Sequence, residues 1–237
     1  MNWSDRITLF DPLDAAALAT LFVAWLAIGH LIENPPRSRP SVSSIMVYYR
    51  REWFRHFVER NPRVFDAQIL GNLRQGTAFF ASATMIAIGG GLALIGNTER
   101  LAGVATDLSL SRDPAIVLEI KLVVMIFFIA NAFLKFVWAH RLFGYCSVVM
   151  SAVPNDVTDP AALPRSAKAA EINITAARSF NRAMRSVYFG LAAAAWLFGG
   201  SALLMGSIVT VIVLWRREFA SSSRAALLET TDGYPAP

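Results

Sequence analysis

The run from Ile116 to Val153, IVLEIKLVVMIFFIANAFLKFVWAHRLFGYCSVVMSAV, limits what this chain can fold into more than any other stretch. Its 38 residues carry only four charges, Glu119, Lys121, Lys135 and Arg141. As one helix it extends about 57 Å at ~1.5 Å per residue. That is nearly twice the ~30 Å hydrocarbon core of a bilayer, so such a helix crosses a membrane and continues beyond it. Composition points the same way: 55% of the 237 residues are hydrophobic and 16% are charged, against roughly 25% charged in soluble domains. The charge deficit is concentrated in four apolar blocks, which argues for a membrane protein over a greasy soluble one. A formal charge of +5 does not indicate nucleic acid, because most of the basic residues lie beside those blocks, where they set topology. Cys146 is the only cysteine. No intrachain disulfide is available, and a lone thiol on an apolar helix reads as core filler.

The first block, residues 15–32, follows Asp14, a capping residue, and is closed by Glu33, Asn34, Pro35 and Pro36. Asp5, Asp11 and Asp14 precede it against a single Arg6. A basic signal-peptide start would have the reverse balance, so the block is expected to be a retained span. The second, residues 77–95, is free of charge and contains Gly89, Gly90 and Gly91. Its pairs Ala87 with Gly91 and Gly89 with Ala93 have the four-residue spacing of small side chains that lets helix backbones approach. Span three is expected over 116–139, with His140 marking the place where a break would fall if the helix were interrupted. Span four is expected over 187–214, inside an uncharged block of 29 residues from Val187 to Trp215 in which Ala195 and Gly199 repeat the close-packing spacing.

Between the spans the pattern changes. Over residues 43–60, Met46, Tyr49, Trp53, Phe54, Phe57 and Val58 recur at helical intervals while Arg51, Arg55 and Glu59 line another face. This predicts an amphipathic helix at the membrane surface. Residues 62–76, 140–153 and 165–186 are expected to be helical extensions into the cytoplasm, and 216–237 a flexible tail. The fold class is therefore all-α: an integral membrane four-helix bundle with long helices reaching into the cytoplasm and one interfacial amphipathic helix. Eight Lys and Arg fall between spans one and two and five, Arg165, Lys168, Arg178, Arg182 and Arg185, between the long third helix and span four. The positive-inside rule makes those segments cytoplasmic and both termini periplasmic. Arg216 and Arg217 dissent, flanking a span on the outer side.

Candidate chemistry is sparse. Lys121, Phe128, Asn131, Lys135, Leu142 and Cys146 share one sector of the long helix. Asn131 and Lys135 thus mark either a ligand or transport path, or an interhelical hydrogen bond with lysines reaching to the interfaces. His30 and His140 lie near the inner ends of their spans and form a candidate haem pair. No cofactor or metal site is otherwise predicted, since nothing has the spacing of a zinc set or a phosphate-binding loop. Arg50, Arg51, Arg55, Trp53, Asp66, Arg182 and Arg185 are the candidate contacts to a partner or to anionic lipid.

Several motifs occur together: Tyr49-Arg50-Arg51 with Trp53; Arg63-Val64-Phe65-Asp66-Ala67; Thr77-Ala78-Phe79-Phe80-Ala81-Ser82 leading to Gly90; Trp138 with Tyr145-Cys146; Ala152-Val153-Pro154; and Asn181-Arg182 through Arg185, Tyr188-Phe189 and Trp196-Leu197-Phe198. As a set they resemble an uncharacterised membrane family, domain of unknown function 599, found in bacteria and in diverged form in plants. The resemblance covers roughly residues 43–215. It implies about four spans and, for a bacterial member, the inner membrane. It brings no activity or cofactor, and it draws attention to Arg51, Asp66, Ser82, Tyr145 and Arg185. The expected role is that of a non-enzymatic scaffold or accessory subunit, self-associating or part of a larger complex; a small channel or transporter is the alternative and a haem protein the third possibility.

Overall fold

A computed structural model describes residues 10–98 and 114–229. Among the described residues there is no strand. The helices are α1 (Pro12–Glu33), α2 (Val42–Phe57), α3 (Val64–Ile95), α4 (Ala115–Ser151), α5 (Ala162–Ala194), α6 (Gly200–Phe219) and α7 (Ser222–Leu227). Three of them, α1, α3 and α4, are long and apolar enough to cross a membrane. The long run is continuous: α4 passes through His140 without interruption and ends at Ser151, just before Pro154, which cannot continue it.

The chain divides into two compact units. One takes in Met1–Leu31, Thr84–Ala132 and Met184–Arg216, the other Ile32–Ala83, Phe133–Ala183 and Arg217–Pro237, so far as these are described. The first is held by apolar packing. Phe22 and Trp25 of α1 meet Phe128 of α4 at ring-centroid distances of 5.3 and 5.2 Å. Phe128 in turn stacks on Phe189 of α5 at 6.3 Å. The close approach expected of the glycine-bearing span is present at Gly91 alone of the three glycines. A Cβ there would lie 2.8 Å from Ile126 of α4, whereas Gly89 and Gly90 have open space.

The second unit has a conventional core in which Phe54 and Phe57 of α2, Phe143 and Cys146 of α4 and Ala169 of α5 are buried. This changes the reading of the amphipathic segment. Its aromatic stripe faces protein, leaving Arg51 and Arg55 on the exposed side. Ser41 caps the helix, accepting from the Ser44 amide, and its hydroxyl also donates to the Ile32 carbonyl at 2.7 Å. One side chain thereby satisfies an end of α1 and an end of α2.

The uncharged block from Val187 to Trp215 is not one helix, contrary to the expected fourth span. It is divided by a 3-10 turn at Ala195–Phe198 and by Gly199, whose φ of 107° is open to glycine and strained for other residues. The Ala195–Gly199 spacing is therefore a helix end, not a packing stripe. At the break, the Trp196 indole donates to Asp14 Oδ1 at 2.6 Å. Gly200 sits so close to the same residue that a Cβ would fall 2.7 Å from Asp14 Oδ1 and 3.2 Å from its backbone nitrogen.

The far end of α6 corrects two further expectations. Glu218 accepts from the Ser43 amide at 2.9 Å and from the Ser43 hydroxyl at 3.0 Å, and Arg224 donates to the Pro40 carbonyl at 2.9 Å. Residues 216–229 are thus not a flexible tail but the end of α6, where Phe219 is buried, followed by α7. Nor can they lie across a membrane from the segment that holds Pro40 and Ser43, so the two expected cytoplasmic and periplasmic assignments are incompatible. Residues 230–237 lie outside the described part.

Candidate functional site

Most arginines of the second unit are engaged within it. Arg63 donates to the carbonyls of Val153 and Pro154, both at 2.8 Å, and of Val58 at 3.1 Å, with its guanidinium 4.5 Å from the centre of the Phe57 ring. Arg165 donates to the Ala152 carbonyl at 2.9 Å. These two bond the three carbonyls that immediately follow α4, those of Ala152, Val153 and Pro154. Arg51 pairs with Glu171 of α5 at 2.7 Å while both side chains stay more than half exposed. Such a pair contributes about 0.2–1 kcal/mol. Arg55 lies 3.7 Å from Glu52 on its own helix. Arg182 forms a two-pronged contact with Glu33, and its guanidinium is held further toward the charged form by that carboxylate.

Asp66 occupies the corner between α2 and α3. It is fully buried, and its Oδ1 accepts from the Trp53 indole at 2.6 Å and from Arg60. Its Oδ2 has no hydrogen-bond partner among the described residues. Asp66, a candidate partner or lipid contact, is thus ion-paired with Arg60, and the Trp53 indole bonds to it in the same corner. Arg185 is buried, with its Nε 3.7 Å from where a Cβ on Gly29 would stand.

The remaining expected residues do not converge on a centre. Asn131 donates to the Ser186 hydroxyl of α5 at 2.7 Å, which matches the interhelical reading of the polar stripe. Lys135 is half-buried, and Lys121, expected to reach an interface, is buried with its ammonium 5.8 Å from the centre of the Trp196 ring. His30 belongs to the first unit and is exposed; His140 belongs to the second, its Nδ1 3.4 Å from the Arg74 carbonyl oxygen. No group of three or more metal-ligating side chains occurs among the described residues. Cys146 is buried, near Asn173 and the Ala169 carbonyl, and burial pushes its thiol up to about 11.

What the structure assembles is a polar cavity of about 240 Å³ between the first half of α2, the middle of α5 and the end of α6. Arg50, Arg178 and Arg217 contribute to its wall together with Ser43, Asn181 and Glu218. Glu218 is engaged by Ser43. Arg50 is the unusual member: it donates to the amide oxygen of Asn173, a neutral group, and burial lowers its pKa from the ordinary guanidinium value. Charged groups taken out of water need an opposite charge to offset the loss, and an anion in this cavity would supply one. Of these residues Arg50 was expected at a binding surface; Ser43, Asn173, Asn181, Arg217 and Glu218 were not. A signal for two of them exists, since Asn173, Ala177 and Asn181 recur every four residues along an alanine-rich helix.

The family described as protein of unknown function, DUF599, matches residues 16–223. That is most of the chain, and the chain belongs to this family. No curated protein and no solved structure matches.

Proposed function

We propose that this DUF599 member is an integral membrane protein crossing the bilayer five times, and that its arginine-rich unit binds an anionic group as a non-enzymatic scaffold or accessory subunit. The supporting geometry for the passes is the matched ends of three helices. α5 meets the end of α1 through Arg182 and Glu33, and the turn after α5 meets the start of α1 through Trp196 and Asp14. α6 then starts beside Asp14 and ends with Glu218 on Ser43. Its uncharged part, Gly200–Trp215, is 16 residues, or about 24 Å of helix. This is short for a free-standing span but workable for one packed beside other helices.

Five passes also remove the conflict over arginines. The eight Lys and Arg of residues 37–74, the five of 165–185, and Arg216, Arg217 and Arg224 then share one side, against Arg6, Arg100 and Arg112 on the other. By the positive-inside rule the larger set is cytoplasmic, the N-terminus outside and the C-terminus inside. The test is single-cysteine labelling in intact cells. Ser38→Cys and Ser223→Cys are expected to share one accessibility, with native Cys146 silent because its thiol is buried and protonated at neutral pH. Opposite accessibility for the two would reject the fifth pass.

The observation that carries the binding role is the cavity walled by Arg50, Arg178 and Arg217, in which half-buried Arg50 donates to a neutral amide, that of Asn173. Native mass spectra of protein extracted in mild detergent are the test. Retained anionic lipid or partner is expected to be lost on changing Arg178 and Arg217 together to Glu, and kept when Arg51 and Arg55 are changed instead. Equal retention in both would overturn this assignment. Self-association through the open Gly89 and Gly90 face of α3 belongs to the same proposal. A channel along Asn131 and Lys135 is less well supported, because Asn131 is tied to Ser186.

A further inference from the structure

The anion-binding cavity has a neighbour. A second cavity of about 240 Å³ is lined by Leu73, Gly76 and Thr77 of α3, Phe143 of α4 and Phe180 of α5, and it shares Arg50, Ala177 and Asn181 with the first. The hydroxyl of Thr77 is occupied by the Leu73 carbonyl at 2.7 Å, and Phe180 packs on Phe80 and Phe136 at centroid distances of 5.8 and 5.4 Å. The wall here is therefore largely hydrocarbon and aromatic, with Asn72 and the shared Arg50 and Asn181 as its polar members. An arginine-lined recess that shares wall residues with a more apolar one is a layout for one molecule with two ends.

We propose that the two cavities together hold a single-chain amphiphile, its phosphate monoester among Arg50, Arg178 and Arg217 and its hydrocarbon chain among Leu73, Phe143 and Phe180. This rests on, and sharpens, the anion-binding reading given above. The monoester follows from charge. Three guanidinium groups and one carboxylate, Glu218, line the first cavity, and a phosphate monoester carries about −1.5 to −2 at neutral pH. Arginine forks also match phosphate oxygens in pairs. The chain follows from the second cavity, whose aromatic lining has no use for a free inorganic anion. A glyceride without phosphate would leave Arg50 as it stands, partnered among the described residues by a neutral amide.

The full-length protein in nanodiscs of neutral lipid separates the sources of phosphate. Binding of 1-oleoyl lysophosphatidic acid, inorganic phosphate and monooleoylglycerol is measured by competition against a fluorescent lysophosphatidic acid. The lysophosphatidic acid is expected to bind at least about 100-fold more tightly than either other probe, since each buried methylene adds severalfold to affinity. Gly76→Leu adds bulk at a residue that lines the second cavity, at a position where a Cβ has no neighbour within 4 Å, and leucine is the better helix former. It is expected to weaken lysophosphatidic acid about tenfold, the equivalent of roughly two methylenes, and to leave inorganic phosphate unchanged. Arg178→Ala is expected to weaken both by about tenfold. Inorganic phosphate binding as tightly as the lipid, or Gly76→Leu without effect, would overturn the amphiphile while leaving the anion cavity in place. Arg178→Ala without effect on either probe would overturn both readings.

Discussion

Asn131 and Asp66 each tie two helices together with one polar side chain, and the two ties are built from opposite materials. In the unit that holds Asn131, the bond is neutral: an amide donates to the Ser186 hydroxyl at 2.7 Å, amid Phe128, Phe189 and alanines. The unit that holds Asp66 uses a fully buried carboxylate, an indole and a guanidinium. Both surfaces show apolar side chains more than half exposed, Val23, Leu26, Ile86 and Ile212 in the first unit and Phe65, Phe79 and Val148 in the second, but the second also shows Arg51, Arg55 and Arg74 around a core of Phe54, Phe57 and Phe143. The contrast teaches what each surrounding solvent permits. Where lipid is the neighbour, apolar side chains face outward at no cost and a tie such as Asn131 to Ser186 is made from neutral groups, while the charges this unit does bury, Lys121 and Arg185, are few. In contact with water and headgroups the core must be apolar, and arginines serve as staples on carboxylates and helix ends.

The contrast is most directly broken at Asp66. Asp66→Ala removes the only acceptor described for the Trp53 indole and the buried partner of Arg60, and is expected to cost about 3 kcal/mol, read as the thermal midpoint of the detergent-purified protein. A loss below about 0.5 kcal/mol would mean that the corner is wet and the two units are less different than they look. Gly200→Ala comes next, at about 2 kcal/mol, because the added methyl meets backbone atoms of Asp14 that have little room to move. Gly89→Ala, in open space on α3, serves as its neutral companion. The smallest effect is expected at Asn131→Ala, about 0.6 kcal/mol, the average for a hydrogen bond between helices in a membrane. An effect as large as that of Asp66→Ala would assign Asn131 a role beyond tying helices.

How far this could be foreseen depends on what kind of information each element carries. α4 was legible end to end, because a run so poor in charge offers the backbone no alternative to a long helix. So was the period of α2, although not which solvent its aromatic stripe would meet: Trp53, Phe54 and Phe57 have the same spacing whether they face lipid or Phe143. The break at Gly199 was hidden, since a glycine pair inside an uncharged apolar block has the hydropathy of an uninterrupted span, and the contacts that seat the turn on Asp14, from Trp196 and Gly200, are tertiary. The arginines were legible as a class and not as individuals. Which are consumed by carbonyls, as Arg63 and Arg165 are, and which wall a cavity, as Arg50 and Arg178 do, depends on partners more than a hundred residues away in some cases, such as Asn173 and Arg50.

The contact between Gly200 and Asp14 bears on how such a chain is made. The turn between α5 and α6 finds its seat on α1, which therefore has to wait, correctly placed, until those two later helices have been synthesised. A version lacking that opening helix would insert a hairpin whose tip has nowhere to dock. Quality-control proteases, more than loss of ligand, would then decide its fate.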